Sequence, residues 1–347
     1  MGNIVGVDIG HRSLRAVELQ NADRPKPVVL RYHEVPLPEG SVRRGEVVDA
    51  NTVATSFKRL WSTGGFSTKN IVLGMGGPSV IARELTVQRM PLDRIREALP
   101  FQVQELLPMP AADAVLDFYP VAEAAPVNGA EMVTGLLVAA AKSAVGANVA
   151  AATAAGLNPV RVDLIPFAIT RLLTRSVDAR EVVALVNIGA ETTTVTVVKG
   201  GVPYFVRLTP GGGEDVTRML QSRLEITRDQ AEHVKHTRGL ATSDFTAEER
   251  PAIEVMYEAG NELIGGLRNT LQYYASIQGA ERIDRMVLTG GGARLHNLAR
   301  FLGDATGIQV APAQPMAGLA LGKKALASEE VATDLTVAAG LAIGQRA

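Results

Sequence analysis

IVGVDIGHRSLRAVEL, residues 4–19, shares its pattern with VALVNIGAETTTVTVV, residues 183–198. Each segment reads as an apolar strand, then Asp or Asn followed by Ile and Gly, then a second stretch rich in β-branched residues. Such a pattern favours two strands joined by a tight turn. Because the two segments lie about half the chain apart, the repeat predicts two similar α/β halves, each opening with a strand–turn–strand hairpin.

The length and composition indicate how many domains to expect and exclude several classes of protein. A chain of 347 residues at roughly 150 residues per domain suggests about two domains. Lys and Arg number 35 against 36 Asp and Glu, so the basic excess typical of nucleic-acid binding is missing. The chain has no cysteine, which excludes disulfides, thiol nucleophiles and zinc–thiolate sites. No segment has the unbroken apolar character of a signal peptide or a membrane span, so we expect a cytoplasmic protein that reaches a membrane only through a partner.

The first turn has the residues of a phosphate site. Backbone N–H groups around Gly10 can surround an anion, and Asp8 can hold magnesium through water. Arg15 shares a strand face with Ser13 and offers a charged fork to a phosphate. A plain hairpin with an Asp-capped turn explains the same residues, so this motif alone leaves both interpretations open.

Further glycine clusters follow the second turn, Asn187-Ile188-Gly189. Gly211-Gly212-Gly213 precedes a helix predicted from Asp215, and Gly290-Gly291-Gly292 follows a strand and opens a helix predicted over 294–302. Helix N-termini preceded by glycines bind anions readily. Each cluster is weak evidence alone, but their order, with two of the turns in a repeat, favours a phosphate-binding cleft between the halves.

The rest of the chain predicts how these motifs are divided. Helices are expected over 49–62, 93–107, 142–155, 215–224, 228–237 and 253–277, and an exposed loop over 123–130. The predicted first domain covers 1–178 and carries an inserted α/β subdomain at about 90–160. The predicted second domain covers 179–333, and a closing helix over 334–347 packs back on the first.

The motifs resemble the superfamily of actin, heat-shock chaperones and sugar kinases, and within it the PilM-like, actin-like proteins of type IV pilus assembly. The resemblance spans nearly the whole chain. It is carried by Arg15–Leu19, LPFQVQELLP, AAGLNPVRVDLIPFAITRLL, Ala231-Glu232 with Lys235, Leu271–Tyr274 and the triple-glycine loop. It implies an actin-like ATPase fold, in which two ribonuclease-H-like domains flank a nucleotide cleft.

The resemblance also implies the residues that border ATP and Mg²⁺. These are Asp8, Gly10, His11, Arg15, Asn187, Gly189, Glu191, Gly212, Gly213, Glu232, Lys235, Gly290, Gly291 and Arg294, with Asp8 at the metal. The hairpin turns would face the phosphates, Glu232 and Lys235 the ribose and adenine, and Gly290, Gly291 and Arg294 the adenosine.

Three of these positions depart from the pattern of the family. His11 stands where Thr or Ser is usual, Arg15 where Lys is usual, and Asn187 where the superfamily often has Asp. The region expected to orient an attacking water reads LIPFAI, without a carboxylate or Gln. Water positioning and charge placement supply most of phosphoryl-transfer catalysis, so we expect ATP binding with at most slow hydrolysis and assign no catalytic residue.

The resemblance further implies a scaffold in type IV pilus or type II secretion-like assembly. Its expected partner is the N-terminal cytoplasmic peptide of a PilN-like inner-membrane protein, lying beside the inserted subdomain near Phe101, Leu106, Leu107, Phe118 and Tyr119. Other pilus assembly proteins and self-association are further expectations, and direct membrane insertion is not expected.

Two alternatives use the same fold. FtsA-like cell-division proteins end in an amphipathic membrane helix, whereas this sequence ends LAIGQRA. Small-molecule kinases of the superfamily are usually longer and need an acidic base for the substrate hydroxyl.

Overall fold

The two repeated segments form the centres of two separate sheets in the computed structural model, which describes residues 2–243, 245–322, 325 and 334–344. The first sheet is six-stranded, in the order β10-β6-β1-β2-β3-β16. Its strands are β1 (Ile4–Ile9), β2 (Ser13–Gln20), β3 (Val28–Pro36), β6 (Asn70–Met75), β10 (Asn158–Leu164) and β16 (Ala320–Leu321). β1 and β2 are antiparallel with Asp8 opposite Arg15, while β6 is parallel to β1 and β10 to β6.

The second sheet is five-stranded and begins with the same hairpin arrangement. Its order is β13-β12-β11-β14-β15. The strands are β11 (Val182–Ile188), β12 (Thr192–Lys199), β13 (Val202–Pro210), β14 (Arg285–Thr289) and β15 (Gln309–Pro312). β11 and β12 are antiparallel, and β14 lies parallel to β11 on the other side. The prediction of two α/β halves that each open with a hairpin is therefore confirmed.

A third, smaller sheet is antiparallel, with the order β7-β9-β8. Its strands are β7 (Val80–Gln88), β8 (Ala114–Val127) and β9 (Ala130–Ala141). They span 80–141, whereas the sequence predicted an insert over about 90–160. The exposed loop predicted over 123–130 is wrong, because Asn128 and Gly129 make a tight turn with φ of 50° and 80° and both strands continue up to it. Asn-Gly suits such a hairpin turn, in which both residues take positive φ.

The predicted helices are present, but most of them differ at one or both ends by one to five residues, and the helix over 165–173 was not predicted. The described helices are α1 (Ala50–Gly64), α2 (Leu92–Gln102), α3 (Lys142–Ala154), α4 (Ile165–Leu173), α5 (Gly213–Leu224), α6 (Arg228–Thr237), α7 (Arg250–Ser276), α8 (Leu298–Thr306) and α9 (Thr336–Ala342). Two short strands, β4 (Val42–Arg43) and β5 (Glu46–Val47), form a hairpin before α1. α2 ends at Gln102 rather than at residue 107. The helix predicted over 294–302 starts only at Leu298, after a 3₁₀ turn over Gly291–Arg294. None of the helices among the described residues is long and apolar enough to span a membrane.

An apolar layer containing α4 and α9 lies between the two large sheets. One buried cluster joins Val17 of the first sheet, Leu172 and Leu341 of these helices, and Leu185 of the second sheet. α9 packs so closely on β1 that a side chain at Gly6 would overlap the backbone of α9. The domain division at 178/179 stays a prediction, and residues 1, 244, 323–324, 326–333 and 345–347 of the predicted ranges lie outside the described residues.

Candidate functional site

The turns of the two hairpins have the same backbone geometry. The N–H of Gly10 donates to the carbonyl of Ser13 at 3.0 Å, and the N–H of Gly189 donates to that of Thr192 at 2.9 Å. A Cβ at Gly10 would lie 2.9 Å from the Ser13 oxygen, and one at Gly189 would lie 3.0 Å from the Thr192 oxygen. Close packing within the turns therefore disfavours a side chain at Gly10 and, less strongly, at Gly189, whatever else the turns bind.

The glycine clusters of the second half pack directly on the second turn. The N–H of Gly213 donates to the carbonyl of Gly189 at 2.9 Å. A Cβ at Gly212 would lie 2.7 Å from the carbonyl oxygen of Ala190, and one at Gly290, where φ is 87°, would lie 2.7 Å from the Asn187 Oδ1. The structure thus brings three predicted glycine motifs together, and backbone-to-backbone packing accounts for several of their glycines.

One set of side chains connects the two halves across the cleft. His11 Nδ1 lies 3.0 Å from Glu191 Oε2, and the N–H of Arg44 donates to the same oxygen at 2.7 Å. His11 Nε2 lies 3.9 Å from Glu214, which accepts two hydrogen bonds from Arg228 at 2.5 and 2.6 Å. Burial alone would raise the pKa of Glu214, but these hydrogen bonds and the charge of Arg228 hold it below its usual value.

A second set of charges surrounds Asp8, which is only 8% exposed. Arg15 Nη1 lies 3.8 Å from Asp8 Oδ2, and Arg15 Nη2 lies 3.1 Å from Glu34 Oε1. Burial raises the pKa of Asp8, and the charge of Arg15 opposes the rise only in part. Arg294 forms an ion pair with Asp334 beside this group. The two arginines that were predicted to face the ligand are thus engaged by carboxylates.

A third group contains the residues predicted at the nucleoside. Lys235 Nζ donates to Thr217 Oγ1 at 2.7 Å and to Glu232 Oε1 at 2.8 Å. Burial favours the neutral form of Glu232, but hydrogen bonds from Lys235 and Thr217 lower its pKa overall. A cavity of about 20 Å³ lies here, bordered by Gly213, Lys235, Gly291 and Arg294 among others.

The predicted site residues therefore line one interface but enclose little space. The cavity beside Lys235 and Gly291 is far smaller than the about 300 Å³ or more of most ligand sites. Among the described residues there is no cluster of three His, Cys, Asp or Glu side chains placed to hold a metal. Magnesium commonly takes only one or two carboxylates and keeps several waters, and the desolvated Asp8 fits that requirement.

A larger groove of about 850 Å³ lies away from this cleft. It runs between β8 of the small sheet, β10 and α4 of the first half, and the β12–β13 loop. Of the apolar residues predicted for a peptide site, Tyr119 and the largely buried Phe118 line it, whereas Phe101, 81% exposed, does not. The Tyr119 ring packs at 5.0 Å from that of Phe167, which the sequence analysis did not single out.

Comparisons with known proteins relate this architecture to a family. The family model of the type IV pilus assembly protein PilM matches residues 6–346. A solved PilM–PilN type IV pilus biogenesis complex contains a chain 29% identical to this one, with a TM-score of 0.85 and coverage of 98% and 97% of the two chains. MreB5 of Spiroplasma citri bound to AMPPNP, at 10% identity, a TM-score of 0.58 and coverage of 97% and 94%, shares the fold.

A curated relative adds a more distant similarity. The cell division protein FtsA of Bacillus subtilis (strain 168) is 21% identical over 238 residues, which cover 61% of this chain and 53% of FtsA. The chain thus matches about half the length of this relative. Together with the solved structures, the match confirms the predicted actin-like fold.

Proposed function

The chain belongs to the type IV pilus assembly protein PilM family, and on that premise we propose that it is a nucleotide-binding scaffold of pilus assembly. In this proposal ATP with Mg²⁺ binds in the cleft between the two large sheets. The N-terminal cytoplasmic peptide of a PilN-like inner-membrane protein binds in the groove beside the small sheet and tethers the protein to the inner membrane from the cytoplasmic side.

The proposal of nucleotide binding rests on the two repeated hairpin turns, which meet at one cleft. The turns at Gly10 and Gly189 would offer backbone N–H groups to the phosphates. Asp8 would hold Mg²⁺ through water, while Glu232 and Lys235 would contact the nucleoside. Carboxylates face the same cleft, so a triphosphate needs a divalent cation to offset their charge. Magnesium would supply that neutralisation when bound.

The small cavity at the nucleoside group adds a condition to this proposal. A nucleotide does not fit a cavity of about 20 Å³. In this proposal the side chains around Lys235 and Gly291 therefore move apart when ATP binds, and binding favours that arrangement by its differential affinity.

Calorimetry and thermal unfolding test the nucleotide proposal. A ligand at 100 times its Kd stabilises the native state by about 2.7 kcal/mol, so millimolar Mg–ATP should raise Tm by several degrees. ATP with excess EDTA is the matched control and should produce a much smaller shift. An unchanged Tm with Mg–ATP, together with no heat of binding, would rule out a working cleft.

The proposal of peptide binding rests on the groove and on the similarity to a PilM–PilN complex. The groove is concave, lined by Phe167, Tyr119 and Val115, and rimmed by charged side chains, as peptide sites usually are. A disordered peptide loses conformational freedom on docking, so we expect affinity near the micromolar range.

Hydrogen exchange with a synthetic peptide tests this part directly. The probe is the cytoplasmic N-terminal segment of the PilN protein encoded in the same genome, and a scrambled version is the control. Protection should appear in 114–120 and 158–167. No binding at high micromolar peptide, or protection confined to the second half, would refute the peptide proposal.

A further inference from the structure

A carboxylate that the sequence analysis did not assign lies beside the triple-glycine loop. Asp334 comes two residues before α9 and forms an ion pair with Arg294, the last residue of the 3₁₀ turn. The Asp334 side chain is only 17% exposed. The guanidinium of Arg294 lies at the loop as well, because its Nη2 is the nearest atom to a Cβ added at Gly291. Asp334 is therefore paired with the arginine that was predicted to border the adenosine.

The start of α9 is attached to the same loop by a buried hydrogen bond. The hydroxyl groups of Thr289 and Thr336 lie 3.0 Å apart, and both residues are buried. Thr289 is the last residue of β14, directly before Gly290, and Thr336 is the first residue of α9. This bond holds the chain next to Asp334 against the second half, beside the cavity that Arg294 borders.

The charge of Asp334 also acts on the first hairpin. Burial is the main cause of the raised pKa of Asp8, and the negative charge of Asp334 adds to it. Burial opposes the charge of Arg15, yet the nearby carboxylates, Asp334 among them, hold the pKa of Arg15 above its ordinary value. Charges interact this strongly only at short range in a protein. Asp334 thus lies near the proposed phosphate and magnesium residues as well as near Arg294.

The described charges of this group do not balance. Three carboxylates accompany two arginines, namely Asp8, Glu34 and Asp334 with Arg15 and Arg294. Each arginine already has a carboxylate partner, so the group repels an incoming polyphosphate. The repulsion is stronger than at an open surface because the side chains are partly withdrawn from water. Mg²⁺ bound to the phosphates offsets part of their charge and so reduces the repulsion.

We propose that Asp334 is a specificity-determining residue of the cleft, whose charge, only partly offset by Arg294, disfavours a metal-free polyphosphate and so selects nucleotide with Mg²⁺. This inference rests on the proposed nucleotide function and adds the residue that sets its dependence on magnesium. Asp8 would hold the cation, whereas Asp334 would act against the nucleotide that arrives without one.

Titration calorimetry of the full chain with ATP, in Mg²⁺ or in EDTA, tests the role of Asp334. Asp334→Asn should strengthen metal-free ATP by about fivefold or more and change the Kd of Mg–ATP by less than about twofold. Glu281→Gln is the matched control, because Glu281 pairs with Lys199 at the end of β12 away from the second turn. This control should leave both Kd values unchanged. No binding of Mg–ATP to the wild type would instead refute the nucleotide function itself.

Arg294→Gln provides a test of opposite sign. Without the arginine the charge of Asp334 is uncompensated, so metal-free ATP should weaken more than Mg–ATP, and the dependence on Mg²⁺ should rise. Both variants break the same ion pair, so a purely structural role would shift this dependence in the same direction. Shifts in the same direction, an unchanged metal-free affinity in Asp334→Asn, or a loss of Mg–ATP affinity alone would overturn the proposal. Circular dichroism and Tm establish that each variant is folded, and Asp334→Ser is a second removal of the charge.

Discussion

Glycines of the two triple-glycine clusters are held by different constraints in the cleft. Gly212 faces the backbone of residues 189 and 190, so a side chain there collides with the second hairpin turn. Gly291 belongs to the triple-glycine loop, yet the nearest atom to its added Cβ is Arg294 Nη2 at 4.0 Å. The first glycine is needed for packing, whereas the second leaves room at the proposed nucleoside site.

These two positions give a matched pair of substitutions. Gly212→Ala should destabilise the protein by about 1–3 kcal/mol, because overpacking forces the turns apart. Gly291→Ala should leave the free energy of unfolding within about 0.5 kcal/mol of the wild type. It should nevertheless weaken Mg–ATP, since the methyl group projects into the proposed site. Urea unfolding and calorimetry separate the two effects, and equal destabilisation by both variants would contradict the assignment.

Asp8 shows the cost of a buried carboxylate. Its pKa is raised above the ordinary 3.8, chiefly by burial. The folded state therefore retains the proton more strongly than the unfolded state does. Stability from this group falls as the pH rises from the ordinary value to the raised one, and the loss is complete above the raised value.

Asp8→Asn removes this penalty. The variant should be more stable than the wild type at pH 7, with a difference that shrinks toward zero as the pH falls below the ordinary value of 3.8. It should also lose most of the Tm increase produced by Mg–ATP, because the amide is a poor magnesium ligand. Denaturation at a series of pH values measures the first effect. A stability difference that does not vary with pH would show that burial of the charge is not its cause.

At the level of secondary-structure elements, the small sheet has its own apolar core. Phe118 of β8 is 1% exposed and packs with Leu99 of α2 and Leu137 of β9, whereas Phe101 at the end of α2 is 81% exposed. Both aromatic residues were candidates for a peptide site, yet only Phe118 contributes to the core. The buried residues of α2, Ile95 and Leu99, are four apart, whereas Phe101 lies two residues after Leu99 and so falls on the opposite side of the helix.

The two phenylalanines can be compared by substitution. Phe118→Ala should cost about 3–5 kcal/mol, the usual range for a buried phenylalanine, and should weaken peptide binding by disturbing β8. Phe101→Ser should change the free energy of unfolding by less than about 0.5 kcal/mol. Urea unfolding with peptide titration distinguishes them. A strong loss of peptide affinity in Phe101→Ser would place the peptide over α2 instead of in the groove.

The whole molecule combines a charged cleft with a separate, larger groove. The cleft is crossed by the contact between His11 and Glu191, and an apolar layer with α4 and α9 lies between the sheets. The groove borders β10 and α4, which belong to the same half as the first turn. The cleft and the groove therefore share elements of the first half.

We expect the intact protein to hydrolyse ATP far more slowly than the 1–100 s⁻¹ typical of kinases. Asn187 lacks the charge of the usual Asp, and its Oδ1 lies against the Gly290 turn. Single-turnover and steady-state phosphate release would measure the rate. Steady turnover within the kinase range would show that another group orients the attacking water.

The sequence by itself determined the two-hairpin architecture and the family. Asp8-Ile9-Gly10 and Asn187-Ile188-Gly189 are local patterns, since a strand, a turn that needs glycine and a second strand are specified by adjacent residues. The same locality applies to α6, whose predicted and observed bounds are both Arg228–Thr237, because the Thr227 side chain accepts a hydrogen bond from the Gln230 N–H at the start of the helix.

Only the tertiary structure decided which of these residues meet and what space they leave. The pairing of His11 with Glu191 and that of Arg294 with Asp334 both join residues far apart in the chain. Local sequence preferences do not encode such contacts, because they arise from the packing of whole sheets and helices. For the same reason the sequence predicted a phosphate cleft from its glycines, whereas the structure showed that close backbone packing is what several of those glycines provide.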